Sequence, residues 1–249
     1  MTTVLVTAAI APLLAQPTAS STQVSQRLAG HRLTVLEEKD PWLRVRGDDR
    51  YEGWVHRGYV GSEDGHRLER RRTSLGCVVR DPRGPSRPLP LGALVPDDAT
   101  LESGEAIDAT ELARRFPRDP DAITRSALRF FAGTPYQWGG ITPWGADCSG
   151  LVQTAFGLHG VTLPRDSSQQ AEAGEPLDLA PDALASGDLL FFSDRPDRRI
   201  THVAISLGGP RVVHLALGRG GYKVEDLSDM ADPYVAALRA RYLFARRIL

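Results

Sequence analysis

The stretch TPYQWGGITPWGADCSGLVQTAFGLHG, residues 134–160, runs from a loop into a helix around one cysteine. Gly139, Gly140, Pro143 and Gly145 punctuate the chain ahead of Cys148. After it, Leu151, Val152, Ala155, Phe156 and His159 recur at amphipathic helical spacing, and Gly160 supplies the stop. Cys148 is therefore expected at or near a helix N-terminus. Unpaired backbone N–H groups and the helix dipole favour an anion there, so a lowered thiol pKa is expected. The same N–H groups offer an oxyanion hole to a tetrahedral intermediate. A buried helix cysteine is the plainer alternative, and the polar flanks Asp147 and Ser149 weigh against it.

A thiol nucleophile needs a base. ITHVAISLGG (200–209) and RVVHLALG (211–218) read as adjacent strands joined by Gly208-Gly209. A hairpin centred on Gly208 sets His202 directly opposite His214, because their numbers are symmetric about that glycine. Opposed side chains share one face of a pleated pair within hydrogen-bonding reach, whereas a one-residue slip sends them to opposite faces. The expected relay is Cys148 as nucleophile, His202 as general base and His214 orienting the His202 imidazole. As metal ligands the two histidines lack a third partner at suitable spacing, so no metal is expected. His31, His56, His66 and His159 have no comparable context and read as structural or surface residues.

The rest of the chain sets limits on this reading. Its 249 residues suffice for one large domain or two to three small ones. Lys and Arg number 30 against 31 Asp and Glu, a balance that argues against non-specific nucleic-acid binding. The only other cysteine, Cys77, lies in the strand-like run SLGCVVR and reads as a buried structural thiol, with neither a disulfide framework nor a zinc site indicated. The apolar run Val4 to Ala15 follows no Lys or Arg, is interrupted by Pro12 and is too short to span a bilayer. It is expected to be the first strand of a folded domain rather than a cleaved signal.

Three domains are expected. In 1–61, RLTVLEE, WLRVR (42–46) and YEGWV (51–55) read as short strands with a turn at 47–49, suggesting a small barrel. In 62–115, RRTSLGCVVR, PLPLGALVP and ATLESG repeat the style, and Pro82, Pro85, Pro88 and Pro90 rule out a long helix. From 116 to 249 the composition turns mixed. Asp119-Pro120 opens a helix carrying Ala122, Ile123, Ala127, Phe130 and Phe131, and Gly133 closes it.

PYQWGG (135–140), DCSG (147–150), LPRDSSQQ (163–170), SGDLLFF (186–192), THVAI (201–205) and VVHLA (212–216) follow one another in an order and spacing that resemble the NlpC-type peptidases. These are cysteine peptidases of papain-like fold that cleave bacterial cell-wall peptides. The resemblance covers the second half of the chain and implies the roles already argued for Cys148, His202 and His214. It further implies that Tyr136 lines the nucleophile pocket. The front half, with APLLAQPTASSTQVSQRL (11–28), WLRVR and YEGWV, is similar to the subgroup bearing two bacterial SH3-like domains. The implied architecture is α+β, a papain-like peptidase domain preceded by two small SH3-like β-barrels. Members of that subgroup resemble γ-D-glutamyl-L-diamino acid endopeptidases that require a free N-terminal L-Ala, and their first SH3-like domain helps to hold the substrate amine. By motif position Tyr51, Asp147, Ser149, Asp166 and Ser167 are implied substrate-binding residues.

One position departs from the subgroup: Gln16 stands where a glutamate is expected before the Pro17 turn. A neutral amide lacks the attraction of a carboxylate for an ammonium, which leaves Asp147 as the main candidate counter-ion. A carboxylate beside a nucleophilic thiol raises its pKa, so binding suits Asp147 better than thiolate formation. A helix N-cap carboxylate is the equal alternative, as capping is for Ser149 and Ser167 and a barrel aromatic for Tyr51.

The implied reaction is hydrolysis of the γ-D-Glu to L-diamino acid bond of murein-derived peptides, through an acyl-enzyme on Cys148, with no metal or organic cofactor. A monomer in the cytoplasm that recycles wall peptides, binding neither nucleic acid nor membrane, is the expected setting. The alternatives are an exported remodelling hydrolase anchored to peptidoglycan by its SH3-like domains, a binding module with a dead peptidase domain, and an acyltransferase.

Overall fold

A computed structural model describes residues 2–62, 72–82 and 84–249. His66 lies outside them. The chain divides into two compact units, Met1–Arg115 with Trp138–Thr142, and Phe116–Gln137 with Pro143–Leu249. No helix among the described residues is long and apolar enough to cross a membrane.

Alternation builds the first unit. In Trp42–Arg46 and Glu52–His56 every second residue points inward, so Leu43, Val45 and Val55 meet Val6, Ala11, Leu13 and Leu33 in one core. Each such burial stabilises the unit by about 1.5–3 kcal/mol. The seven strands lie in the order Gln23–Leu28, Ile10–Leu14, Glu52–His56, Trp42–Arg46, Arg32–Lys39, Thr3–Val6, Val60–Ser62. The run Val4 to Ala15 is thus two strands rather than the single one expected. The N–H groups of Thr7 and Ala8 both donate to the Tyr59 carbonyl, at 3.0 and 3.4 Å, and that shared acceptor turns the chain where no glycine or proline marks a break.

A second sheet joins Arg72–Arg80 to Ser86–Leu89, Leu94–Val95 and Thr100–Asp108. Its Cys77, Val79, Leu89, Ala93 and Val95 pack with Leu28 and Ala29 of the first sheet, and Cys77 is buried there. The helix Ala109–Arg115, capped by the Asp108 carboxylate on the Glu111 N–H at 2.9 Å, was not anticipated. The loop Trp138–Thr142 is tied into this unit by Gln23, whose amide donates to the Trp138 carbonyl at 2.9 Å, and by Gln26, which accepts from the Ile141 N–H at 3.1 Å. Between them Gly139 has φ +74°, and a Cβ there would lie 2.8 Å from the Gln23 carbonyl oxygen, so only glycine fits.

The second unit is a six-stranded antiparallel sheet in the order Glu175–Leu177, Tyr242–Arg247, Ser186–Phe192, His202–Leu207, Arg211–Ala216, Gly221–Asp226. The helix Pro120–Phe131 starts as expected, with the Asp119 carboxylate accepting from the Ala122 N–H at 2.8 Å and Pro120 in the first turn. It packs on the strand Ser186–Phe192, and the helix Cys148–Leu158 packs on the strand His202–Leu207. The last helix, Pro233–Ala240, sets Val235 and Leu238 against Leu190, Phe192, Ala204 and Val212.

Candidate active site

Cys148 is the first residue of its helix, and Asp147 is the N-cap, accepting from the Gly150 N–H at 2.8 Å. The thiol is buried, and its sulfur accepts hydrogen bonds from the backbone N–H groups of Val203 and Ser149. That places it beside the first turn of its own helix and next to the residue that follows His202. The expected drop in thiol pKa does not occur. Burial, reinforced by the Asp147 charge, pushes it up to about 12, against the opposing pull of the Val203 and Ser149 N–H groups and of Arg165. The helix-terminus amides are present, but removal from water outweighs them.

The imidazole pair meets, though not by the expected register. Ile205 lies opposite Val213 and Ser206 opposite Val212, so the hairpin is centred on Gly209. Continued along the strands, that register puts Ala204, not His202, opposite His214. His202 is two residues further along the same face, a diagonal neighbour, and its Nε2 lies 2.9 Å from Nδ1 of His214. A shift of this size preserves the face, whereas a one-residue slip would not. His202 packs against Phe192 with ring centroids 5.7 Å apart. Burial, and then the neighbouring His214, hold the His202 pKa well below 6.5. Burial thus works against the charged form of both groups in the free site.

Tyr136 belongs to the same unit. Its N–H donates to the Gly220 carbonyl at 3.0 Å, and burial followed by the charges of Cys148 and Asp147 raises its phenol pKa. Arg165, fully buried, forks onto Asp147 with bonds of 3.0 and 2.7 Å and also donates to the Ser149 hydroxyl at 2.8 Å. Asp147 therefore caps the helix and carries a matched guanidinium, so its charge is already balanced inside the fold. Ser149 does not cap the helix. It donates to Asp147 at 3.2 Å and braces Arg165. Asp166 holds the N-cap position of the four-residue helix Ser167–Gln170 without a side-chain cap bond. Tyr51 packs against the core of the first unit, and Gln16 lies in that unit's turn, where its N–H donates to the Ser21 hydroxyl at 2.9 Å.

Two residues were missed. Arg165 sat inside a quoted motif, but nothing in spacing marks an arginine as fully buried. Glu225, in the strand Gly221–Asp226, is buried with its Oε1 3.8 Å from His214 Nε2. Its signal was a carboxylate alternating with apolar positions on a strand next to the hairpin that carries His202 and His214. His159 is structural, its Nδ1–H donating to the Pro117 carbonyl at 2.5 Å and its Nε2 2.9 Å from the Ser126 hydroxyl. His31 reaches the Gly92 carbonyl with its Nε2 at 3.2 Å, and His56 accepts from the nearby Gly58 N–H at 3.1 Å. Among the described residues no group of three or more His, Cys, Asp or Glu is arranged to hold a metal ion.

A thiol at a helix start, backed by an antiparallel sheet whose neighbouring strands present two bonded imidazoles, defines a thiol peptidase of papain-like architecture. The chain belongs to the NlpC/P60 family and is a cysteine peptidase. The family's pattern matches residues 133–239, and that of the bacterial SH3 domain matches 11–61, so the papain-like domain follows an SH3-like β region. The chain is 30% identical over 212 residues to the gamma-D-glutamyl-L-lysine dipeptidyl-peptidase of Bacillus subtilis (strain 168), covering 76% of this chain and 71% of that protein. It is 29% identical over 263 residues to dipeptidyl-peptidase 6 of Lysinibacillus sphaericus, covering 92% and 93%. In fold it matches the crystal structure of an NlpC/P60 family protein from Bacillus cereus ATCC 10987 with a TM-score of 0.78 at 20% identity, covering 99% of both chains.

Proposed function

We propose that this peptidase hydrolyses the γ-D-Glu to L-diamino acid bond of murein-derived peptides bearing a free N-terminal L-Ala. The observation that carries the reading is the bonded His202–His214 pair, with Val203, the residue after His202, turning its N–H to the Cys148 thiol, in a chain whose relatives include a gamma-D-glutamyl-L-lysine dipeptidyl-peptidase. Because the free thiol is neutral, His202 must take its proton as the sulfur attacks the γ-carbonyl. With Nε2 engaged by His214, Nδ1 is the nitrogen left for that proton. Backbone N–H groups at the helix start stabilise the oxyanion, and the imidazolium returns the proton to the leaving amine. Water, deprotonated by His202, then releases the acyl group from Cys148.

Tyr51, Tyr136, Ser149, Asp166 and Ser167 remain the proposed substrate contacts, from motif position. Asp147 contributes mainly through the helix start, because Arg165 already matches its charge. A requirement for a free amine suits small turnover peptides, so we place the enzyme in cytoplasmic recycling, as a monomer. Digestion of L-Ala-γ-D-Glu-diaminopimelate beside its N-acetylated form tests the specificity. Cleavage of the free peptide alone is expected, and equal rates would remove the amine requirement. Preference for intact sacculi over the tripeptide would favour the exported wall hydrolase.

A further inference from the structure

His214 is fully buried, and its Nε2 has no hydrogen-bond partner among the described residues. A buried polar nitrogen without a partner is destabilising, so its surroundings need an explanation. The nearest acceptor is Glu225 Oε1 at 3.8 Å, longer than a full hydrogen bond but within ion-pair range. Sheet register puts it there. His214 lies opposite Lys223 in the next strand, so Glu225, two residues on, is on the same face as a diagonal neighbour. His202, His214 and Glu225 therefore form one straight diagonal across three adjacent strands.

The carboxylate is itself held. Arg219 Nε donates to Glu225 Oε1 at 2.7 Å, Arg219 also binds Asp232, and its guanidinium lies 4.3 Å from the centroid of the Tyr234 ring, which packs edge-on to His214. Burial alone would raise the Glu225 pKa, but the interactions with His214 and Arg219 outweigh it and hold the group ionised. The charged and titratable groups facing it are thus His214 on the adjoining strand, Arg219 and Asp232 from the turns, and Tyr234 from the last helix, with Lys223 exposed on its own strand.

We propose that Glu225 is a positioning residue that extends the relay by one member, fixing the His214 proton on Nε2 so that Nδ1 is left as the acceptor for His202. This rests on the reading of Cys148 and His202 given above. The proton order is then closed. Cys148 gives its proton to His202 Nδ1, His202 Nε2–H donates to His214 Nδ1, and His214 Nε2–H donates to the Glu225 carboxylate. No proton leaves the far end. As positive charge develops on His202, the polarised His214 draws closer to the carboxylate, and the 3.8 Å gap is the free-enzyme form of that contact.

The ¹⁵N shifts of labelled histidine report the tautomer without any substrate. In the wild-type protein His214 is expected to carry its proton on Nε2, and in Glu225→Gln to lose that preference. With the tripeptide, Glu225→Gln is expected to lower kcat by about 10–100-fold while leaving KM nearly unchanged, and Glu225→Asp to recover part of the loss. A wild-type His214 protonated on Nδ1, or a Glu225→Gln variant with wild-type kcat, would overturn the proposal. If Glu225→Gln does not fold, the wild-type tautomer alone decides. Failure to cleave the tripeptide, with the tautomer as expected, would count against the proposed substrate and not against Glu225.

Discussion

His202 and His214 bond on the diagonal of the sheet, Nε2 to Nδ1 at 2.9 Å, two residues out of direct opposition. The diagonal staggers the two rings, with planes at 70° and centroids 5.0 Å apart, so that one nitrogen of each ring faces the other. That stagger leaves His202 Nδ1 outside the bond to His214.

The neutral state of the pair sets its reactivity. Burial pushes the Cys148 thiol up to about 12 and holds His202 well below 6.5, so a neutral pair rather than a thiolate–imidazolium pair is the expected resting form. The alkylation rate of Cys148 by iodoacetamide, followed by peptide mass mapping, should rise continuously from about pH 6 to pH 10. A plateau of high reactivity extending to about pH 5 would show a preformed ion pair. The acid limb of kcat/KM in the free enzyme should correspondingly fall below the ordinary histidine value, because His202 remains an unprotonated base down to its lowered pKa.

Arg165 and Asp147 form a buried, forked ion pair, with side chains 1% and 8% exposed. Arg165→Met strands a buried carboxylate beside Cys148 and should cost about 3–5 kcal/mol, read as a lowered urea midpoint. The double variant Arg165→Met/Asp147→Asn should recover much of that loss, because the unmatched charge is gone. Additive losses would mean that the two side chains do not act as a pair.

Stability should fall in mild acid partly through His159. Burial is the main cause of its lowered pKa, against the raising effect of the Pro117 carbonyl. Between the folded value and the unfolded value of 6.5, the unfolded chain binds a proton that the folded chain refuses. The contribution is therefore present above 6.5 and is lost as pH falls through that window. The wild-type protein should lose more stability than His159→Gln between about pH 7.5 and pH 5. Equal losses would assign the acid sensitivity to other groups.

Much of this was legible in the residues. The Asp119-Pro120 helix start, the alternation in Trp42–Arg46 and the placing of Cys148 at a helix start follow from capping chemistry and period, which act over a few residues. Hidden features depended on distant partners. The turn at Thr7 and Ala8 is made by the Tyr59 carbonyl, and the thiol pKa by burial under other strands. The hairpin symmetry found the correct face for the wrong registry, because a two-residue shift is invisible to a period of two. The pairing of Glu225 with His214 depends on the register of the sheet, and that of Arg165 with Asp147 on a loop folding back over the helix start, neither of which a local pattern encodes.

In the proposed reaction the Cys148 thiol, activated by His202, cleaves the γ-D-Glu to L-diamino acid bond. Incubating wild-type protein and Cys148→Ala with L-Ala-γ-D-Glu-diaminopimelate, and resolving the products by mass, tests it most directly. L-Ala-D-Glu and free diaminopimelate are expected from the wild-type protein, and intact tripeptide with the variant. Hydrolysis retained by Cys148→Ala, or wild-type cleavage at another bond, would contradict it.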